Sequence, residues 1–340
     1  MSRKSRKVLV LVHETLVPPE GHREMSVEER DEFRTESDVV AALEDLGHEV
    51  QVIGLYDELA PLRVAIDEFQ PHVAVNLLEE FNELTVYDHN VVSYLELKRV
   101  PYTGCNPRGL VLGRDKALSK KILSYHRIKV PHFGVFRLGR KIQRPKRLAF
   151  PLIVKSLTED ASAGISQASV VNSDEKLAER VHFIHRTVKT AAIVEQYIDG
   201  REMYVGCLGR ERIHVLPPWE LYLDDLPDHA NRIATRRAKW DRKYQRRHGI
   251  KTGPARGLDE AQVRHLGRLA KRIYKALGLS GYNRLDFRMD ERGEFWFLEA
   301  NPNPELANDA EVALAAASMG MSYGKLIARI LREGLRSLEI

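Results

Sequence analysis

The chain has 340 residues, of which 43% are hydrophobic and 30% are charged, and it carries a formal net charge of +5 at pH 7. This composition excludes a disordered or membrane-spanning chain, and its two cysteines are too few for a disulfide scaffold or a zinc site. We expect a soluble, cytoplasmic protein with more than one domain and no membrane contact, whose positive charge favours anionic ligands.

The first hundred residues alternate between strand and helix patterns. Apolar runs predict strands at residues 8–12, 50–55 and 73–77, and helical spacing predicts helices at residues 36–46 and 62–69. This alternation predicts parallel strands in a doubly wound, Rossmann-like α/β domain that extends to about residue 105. Ligands of such sheets bind beyond the carboxyl ends of the strands, which places Glu14 near a binding site. An ordinary solvated carboxylate is an equally weighted alternative for Glu14.

The middle of the chain combines a lysine-bearing helix with further strands. Residues 115–126 form a predicted helix that carries Lys116, although lysines on a helix usually face solvent. An apolar strand at residues 150–155 ends at Lys155 and leads into a loop of small residues, 156–166, whose backbone N–H groups can cover phosphates. Two further strands of an antiparallel sheet are predicted at residues 191–198 and 202–208.

The densest run of basic residues lies at positions 236–251, with aromatic residues at positions 240 and 244. Such a run is typical of a nucleic-acid-binding surface, or of the flank of a lysine that binds phosphate. Helical patterns at residues 258–277 and 310–335 account for most of the remaining chain.

The most informative stretch is residues 282–301, which read YNRLDFRMDERGEFWFLEAN. Two alternating apolar runs flank an Asp-Glu-Arg-Gly tetrad that is typical of a turn, so a β-hairpin is predicted. With an even number of loop residues, Arg284 would face Glu299 and Asp286 would face Phe297, which makes Asp286 and Glu299 diagonal neighbours. The opposite, buried face is expected to contain Leu285, Phe287, Trp296, Leu298 and Ala300.

The polar face of this hairpin has the ligands that a magnesium ion prefers. Asp286, Glu299 and Asn301 provide three hard oxygen donors, and Arg284 beside them can stabilise an oxyanion. Prolines at positions 302 and 304 end the strand and fix a loop next to these side chains. We therefore expect a metal site here, and the alternative is a half-exposed hairpin with ordinary surface charges.

Taken together, these segments resemble the ATP-grasp superfamily, and within it the D-alanine–D-alanine ligase branch. The similarity extends over nearly the whole chain and is most specific in GYNRLDFRMDERGEFWFLEANPNP, with further matches in FPLIVKSLTEDASAGIS, VEQYIDGREMYV and SMGMSYGKLIARIL. The resemblance implies a Rossmann-like domain at residues 1–105, a small lid domain at 106–190 and a large antiparallel α+β domain at 191–340. ATP would lie between the last two domains.

The resemblance also implies roles for individual residues. Asp286, Glu299 and Asn301 would carry two Mg²⁺ ions, for which Mn²⁺ is an alternative, and Arg284 would stabilise the tetrahedral intermediate. Glu14 would hold the amine of the first substrate. The implied ATP-binding residues are Lys116 and Lys155 at the phosphates, Ser162 and Gly164 in the loop over the phosphates, Glu195 and Ile198 at adenine, Glu202 at the ribose, and Lys239 at the γ-phosphate.

In the resembling enzymes, a substrate carboxylate attacks the γ-phosphoryl group to form an acylphosphate, and an amine then displaces phosphate. The function implied here is an ATP-dependent carboxylate–amine ligase that acts on small molecules and releases ADP and phosphate. Because related ligases are commonly dimers, the resemblance also allows a homodimer.

Two departures from the family pattern concern the second substrate. A glycine and a serine that help to bind its carboxylate in the D-alanine enzymes are replaced by Glu305 and Ala310. The family's His-Gly segment is likewise replaced, by Leu-Leu-Glu-Glu-Phe at residues 77–81. An acid repels a carboxylate, so the acceptor is expected to be a cationic or carboxylate-free amine and not D-alanine. Glu14 keeps an α-amino acid open as the acyl donor.

Two other functions remain open on the sequence. One is a nucleotide-binding member of the superfamily without ligase turnover, which is disfavoured because the phosphate, metal and ribose positions are all filled by competent residues. The other is a basic protein that binds nucleic acid through residues 236–251, which would make its affinity strongly dependent on salt.

Overall fold

The computed structural model describes residues 5–159, 164–227 and 230–339. The first elements are β1 (Lys7–His13), α1 (Arg34–Asp45), β2 (Glu49–Leu55), α2 (Ala60–Phe69), β3 (Val73–Asn76) and α3 (Asp88–Leu97). The three strands form a parallel sheet in the order β2-β1-β3. The strand–helix alternation predicted from the sequence is therefore confirmed.

The central strand of this sheet, β1, is buried on both sides because it is apolar on both sides. Leu9 and Leu11 lie in one buried cluster with residues of α2. Val8 and Val10 lie in a second cluster with residues of α1. Helices thus cover both faces of a parallel sheet, which is the predicted doubly wound arrangement.

The next described part of the chain contains three α-helices and a four-stranded antiparallel sheet. These elements are α4 (Pro107–Arg114), α5 (Lys116–Tyr125), β4 (Phe133–Phe136), β5 (Leu152–Ser156), β6 (Val170–Val171), α6 (Asp174–Phe183) and β7 (Ala192–Gln196). The strand order is β4-β7-β5-β6. A domain boundary at residue 190 would separate β7 from the sheet with which it pairs, so we propose a division after Gln196 instead.

A six-stranded antiparallel sheet forms most of the remaining chain. The strands and helices of this part of the chain are β8 (Arg201–Leu208), β9 (His214–Val215), β10 (Trp219–Tyr222), α7 (Arg236–Trp240), α8 (Arg242–Arg247), β11 (Lys251–Pro254), α9 (Glu260–Ala276), β12 (Tyr282–Met289), β13 (Phe295–Pro302), α10 (Glu311–Ser318) and α11 (Tyr323–Gly334). The strand order is β11-β10-β8-β12-β13, and β9 pairs with β8. The helix predicted at residues 310–335 is two helices. Within the described ranges, no helix is both long and apolar enough to cross a membrane.

Helix α9 packs against one face of the six-stranded sheet. It begins with a capping box, in which the side chains of Asp259 and Gln262 each accept a hydrogen bond from the other's backbone N–H. Its buried residue Ile273 shares a cluster with Phe287 of β12. This packing leaves the opposite face of β8 and β12 for polar side chains.

We predict that Phe287→Ala lowers the free energy of unfolding by about 3–5 kcal/mol, because removing a fully buried ring leaves a cavity between α9 and the sheet. Urea denaturation followed by circular dichroism measures this change. The control is Leu97→Ala, since Leu97 is 82% exposed and its truncation should change stability by less than about 0.5 kcal/mol. Equal losses in both variants would contradict the assigned core.

Candidate active site

The turn of the β12–β13 hairpin differs from the even-numbered loop that the sequence analysis assumed. Met289 opposes Phe295, which leaves an odd number of residues between the strands. Gly293 has a φ of +76° and donates its N–H to the carbonyl of Asp290, as in a type I turn followed by a glycine bulge. The turn itself is therefore confirmed, but the predicted pairing of Asp286 with Phe297 is wrong.

A second irregularity lies inside the hairpin at Leu298. Phe287 opposes Phe297, whereas the preceding Asp286 opposes Glu299, so Leu298 is an extra residue on β13. This bulge brings the two carboxylates directly opposite each other and not into the predicted diagonal positions. The pairing of Arg284 with Glu299 is also wrong.

The two irregularities change which residues of β13 face the core. The buried face consists of Leu285, Phe287, Phe295, Phe297 and Ala300. The prediction is wrong for Trp296 and Leu298, which are only partly buried. Because the loop has an odd number of residues, Phe295 and Phe297 face the core where Trp296 and Leu298 were expected. The bulge at Leu298 shifts the alternation by one residue, so that Ala300 faces the core as predicted.

The structure brings the four predicted polar residues of the hairpin to one face. Asp286 opposes Glu299, and Arg284 opposes Asn301. Directly opposed side chains of an antiparallel pair lie on the same side of the sheet. On the neighbouring strand β8, Tyr204 opposes Asp286 and extends the same face.

Arg284 contacts two carboxylates at this face. Its Nε and Nη2 donate to the two carboxylate oxygens of Asp286 at 2.9 and 3.1 Å, and its Nη1 donates to Glu311 at 3.2 Å. Burial raises the pKa of Asp286, with a further contribution from Glu299, and Arg284 opposes this effect. The bidentate contact therefore helps to keep a buried carboxyl ionised.

Lysines surround the second carboxylate, Glu299. The Nζ of Lys116 lies 3.4 Å from Glu299 and donates to the carbonyl of Glu159 at 2.8 Å. Burial opposes ionisation of Glu299, but Lys116, Lys155 and other nearby lysines outweigh burial and lower its pKa. Lys116 is itself buried, so the usual solvent-facing position of a helical lysine does not apply to it.

Lys120 is a buried lysine next to these residues for which the sequence suggested no role. Its Nζ lies 2.9 Å from one oxygen of Glu195, and the Nζ of Lys155 lies 3.1 Å from the other oxygen. Glu195 and Lys120 are both almost completely buried. Lys120 also donates to the carbonyl of Leu298, the bulge residue. Its position four residues after Lys116 on α5 is the signal that identifies it, because such residues share a helix face.

A narrow cleft separates the four-stranded sheet from the six-stranded sheet. Lys155 enters it from β5, and Lys239 enters it from α7. The lining residues are Ile153, Lys155, Ile165, Glu202, Ile233, Ala234, Lys239, Asp286, Arg288, Leu298 and Glu299. Apolar side chains and lysines thus face the two carboxylates across one cleft, which suits a ligand with an apolar ring and a chain of phosphates.

Glu202 is held in this cleft by two donors. Nη2 of Arg288 donates to one of its oxygens at 2.8 Å, and the hydroxyl of Tyr204 donates to the other at 3.0 Å. Arg288 was missed by sequence reasoning, although its position two residues after Asp286 on one strand places it on the polar face.

The basic run at residues 236–251 does not present all its charges on one surface. Lys239 lines the cleft. Arg237 pairs with Asp241, and Arg242 pairs with Asp31. The run therefore contributes to the cleft and to ordinary surface ion pairs.

The remaining predicted residues lie apart from the cleft lining. Glu14 is exposed in a short 3₁₀ turn after β1 and packs near Gly54. Ile198 is buried just beyond β7, and the carbonyl of Gly164 accepts a hydrogen bond from Arg180. Ser162 lies outside the described residues.

Glu305 does not present the unpaired charge that the sequence analysis assumed. Nη2 of Arg34 on α1 donates to Glu305 at 3.1 Å, and Nη1 donates to Asp309 at 3.0 Å. Burial still raises the pKa of Glu305, and Glu311 adds to this effect. A repulsion of carboxylates therefore cannot be assigned to Glu305 alone.

The polar face fits a hard divalent cation. Asp286 and Glu299 supply carboxylate oxygens from opposed positions, and the Nδ2 of Asn301 is buried without a hydrogen-bond partner among the described residues. Across the described chain, no group of three or more His, Cys, Asp or Glu side chains is arranged to hold a metal. Two carboxylates and an amide oxygen are a donor set that suits Mg²⁺.

Comparison with known proteins finds a matching family model and several similar chains. Residues 122–332 match the family model described as the C-terminus of D-Ala–D-Ala ligase. The chain is 32% identical over 306 residues to the uncharacterized protein y4sG of Sinorhizobium fredii, covering 88% of this chain and 86% of that protein. It is 32% identical to a D-alanine–D-alanine ligase of Bordetella petrii, covering 72% of each.

A solved structure has the same fold over almost the full length. It is the D-alanine–D-alanine ligase from Bacillus anthracis in complex with ATP, with a TM-score of 0.76 and 21% identity, and the match covers 98% of each chain. The predicted two-domain ATP-grasp fold behind a Rossmann-like unit is therefore confirmed.

We predict that Lys120→Ala destabilises the protein by about 3 kcal/mol, because it leaves the buried Glu195 with one cation instead of two. Urea denaturation measures the change. The matched control is Lys121→Ala, which removes an exposed lysine from the same helix and should cost less than about 0.5 kcal/mol. If Lys120→Ala lowered the free energy of unfolding no more than Lys121→Ala does, the assigned ion pair between Lys120 and Glu195 would be contradicted.

Glu36 gives a prediction for the dependence of stability on pH. Burial raises its pKa to about 7, with contributions from Glu79 and Glu305. An unfolded glutamate has a pKa of about 4.3, so between about pH 4.5 and 7 the folded protein retains a proton that the unfolded chain has lost. The free energy of unfolding should therefore fall by about 3 kcal/mol across this window through Glu36 alone.

Glu36→Gln should remove this dependence, so the variant gains stability relative to the unsubstituted protein as the pH rises from 4.5 to 8. Urea denaturation at several pH values measures the difference. Glu49→Gln removes an exposed carboxylate and should follow the unsubstituted protein at every pH. If the free energy of unfolding changed with pH in the same way in Glu36→Gln as in the unsubstituted protein, the raised pKa of Glu36 would be contradicted.

Proposed function

Because this chain belongs to the D-alanine–D-alanine ligase family of the ATP-grasp superfamily, we propose that it joins a small-molecule carboxylate to an amine with cleavage of ATP to ADP and phosphate. The observation that carries this proposal is the opposition of Asp286 and Glu299 on one face, across the cleft from Lys155 and Lys239. Carboxylates that hold cations and lysines that hold phosphates are the two parts that phosphoryl transfer requires.

The nucleotide would lie in the cleft between the two antiparallel sheets. Glu202, held by Arg288 and Tyr204, would accept hydrogen bonds from the ribose hydroxyls. Ile198 would contact adenine, with Glu195 beside it. The contacts of Glu195 also give it a second task, because it orients Lys120 and Lys155.

In the first step, a carboxylate oxygen of the donor attacks the γ-phosphorus of ATP. The bond from that phosphorus to the β-phosphate oxygen breaks, and ADP leaves with the electron pair. Lys116, Lys155 and Lys239 would offset the negative charge of the phosphates, so positioning and electrostatics provide most of the rate. Two Mg²⁺ ions bound by Asp286, Glu299 and Asn301 would add further neutralisation of that charge.

In the second step, the amine nitrogen attacks the carbonyl carbon of the acylphosphate. The guanidinium of Arg284 would stabilise the oxyanion of the tetrahedral intermediate, after which the carbon–oxygen bond to phosphate breaks and the nitrogen loses its proton. Ser162 and Gly164 would lie in a loop over the phosphates and exclude water, which otherwise hydrolyses an acylphosphate. Glu14 would bind the amine of an α-amino acid donor, and the acceptor would differ from D-alanine.

The activity is tested by measuring ADP and phosphate release with ATP, Mg²⁺ and a panel of amino acids and amines, followed by mass spectrometry of the products. We expect release that depends on both a carboxylate and an amine. If the protein binds ATP but no combination of carboxylate and amine stimulates phosphate release, the result would favour a nucleotide-binding protein without turnover.

We predict that Asp286→Asn and Lys155→Ala each reduce turnover at least about 100-fold, since each removes charge directed at the transferring group. The matched controls are Asp290→Asn, in the turn of the same hairpin, and Lys176→Ala, whose side chain is exposed on α6. Circular dichroism verifies folding of all four proteins. Unchanged turnover in the first two variants would overturn the site assignment.

A further inference from the structure

A cavity of about 660 Å³ lies at the amino-terminal edge of the parallel sheet, where α11 packs against that sheet. Arg6, just before β1, and His48, just before β2, line it from the side of the sheet. Residues 319–321, between α10 and α11, and one side of α11 form the opposite wall. None of these residues lines the nucleotide cleft, so this is a second, separate cavity.

Four cationic side chains line this cavity without an acid among them. Lys325, Arg329 and Arg332 are spaced four and three residues apart on α11, so they share one face of that helix. Arg6 supplies the fourth charge from the other wall. None of the described lining residues is an aspartate or a glutamate, and none of these four side chains forms an ion pair within the described ranges. Like charges around one space repel each other, and a bound anion would relieve that repulsion.

Much of the remaining lining is apolar. Met319 and Met321 lie in the loop before α11, and Leu331 and Leu335 lie in the last turn of α11 and just after it. An inorganic anion would leave these side chains uncovered, whereas a ligand with an apolar body would remove them from water. The volume lies within the range of about 300–1,000 Å³ that is usual for pockets that bind small organic molecules.

We propose that this cavity binds a small organic phosphate. Its phosphate group lies between Arg6 on one wall and the arginines of α11 on the other, and its apolar body covers Met319 and Leu335. A phosphate presents three terminal oxygens and close to two negative charges, and an arginine can bind it with two parallel hydrogen bonds.

The placement of the cations favours a discrete molecule over an extended partner. They line two walls of one concave space, whereas a membrane surface or a nucleic-acid backbone contacts charges that project from a flat or convex face. The site lies outside the proposed ligase reaction, so the proposal adds a ligand to that function and does not depend on it.

Calorimetric titration of the full chain with 1-naphthyl phosphate tests the proposal, with 1-naphthol and inorganic phosphate as comparison probes. The first probe combines an aromatic body with a phosphate, and each of the others has only one of these parts. We expect 1-naphthyl phosphate to bind at least about ten-fold more tightly than either. The double variant Arg329→Ala, Arg332→Ala should weaken its binding at least about ten-fold, because two charge-assisted contacts are lost.

Two control variants distinguish this cavity from other basic sites. Arg63→Ala removes an exposed arginine from α2, which covers the opposite face of the parallel sheet. Lys155→Ala removes a cation from the nucleotide cleft. Neither should weaken binding of the probe at this cavity, and circular dichroism verifies the folding of every variant.

Unchanged affinity in the double variant, or a loss of binding in Lys155→Ala alone, would overturn the proposal. A protein that fails to bind the probe but sediments with phosphatidylglycerol vesicles through these arginines would assign them to a membrane surface and overturn it as well. A dimer that the double variant dissociates, measured by light scattering, would instead make this face an interface between copies of the chain. These measurements involve no turnover, so this proposal and the ligase function can fail independently.

Discussion

The arrangement of the whole site depends on the register of β12 against β13. A side chain on a strand changes face with every residue, so a shift of one position would place Glu299 on the side of the core and an apolar residue beside Asp286. Two local irregularities, the glycine bulge at Gly293 and the extra residue Leu298, together fix the observed pairing. The apolar packing of Phe287 and Phe297 on the other side of the sheet holds that register in place.

The second constraint is the balance of charge between the two antiparallel sheets. Lys120 and Lys155 have a buried anion, Glu195, and Lys116 has Glu299. Each of these charges therefore has a partner before any ligand is present, which limits the cost of burying it. These partners therefore hold the three lysines in place in the absence of a ligand.

Local patterns predicted much of this structure. The apolar run of β1 and the alternation around it identify the parallel sheet, and the tetrad that ends at Gly293 identifies the hairpin. The sequence does not predict the exact pairing of β12 with β13, because a bulge shifts the register by one residue and leaves no clear pattern in the sequence. The burial of Lys120 depends on β7 and β13, which are distant in the chain. The ion pair of Arg34 with Glu305 joins residues 271 positions apart, and neither local spacing nor the family motif indicates it.

The position of Lys120 links the two halves of the cleft mechanically. Its ammonium group contacts Glu195 in the smaller sheet and the backbone carbonyl of Leu298 in the larger one. A rotation of the smaller sheet away from the larger one must either stretch the ion pair or draw the lysine away from the irregular segment of β13. Opening of the cleft would thus be transmitted to the strand that carries Glu299, and the positions of Asp286 and Glu299 would depend on whether the cleft is open or shut.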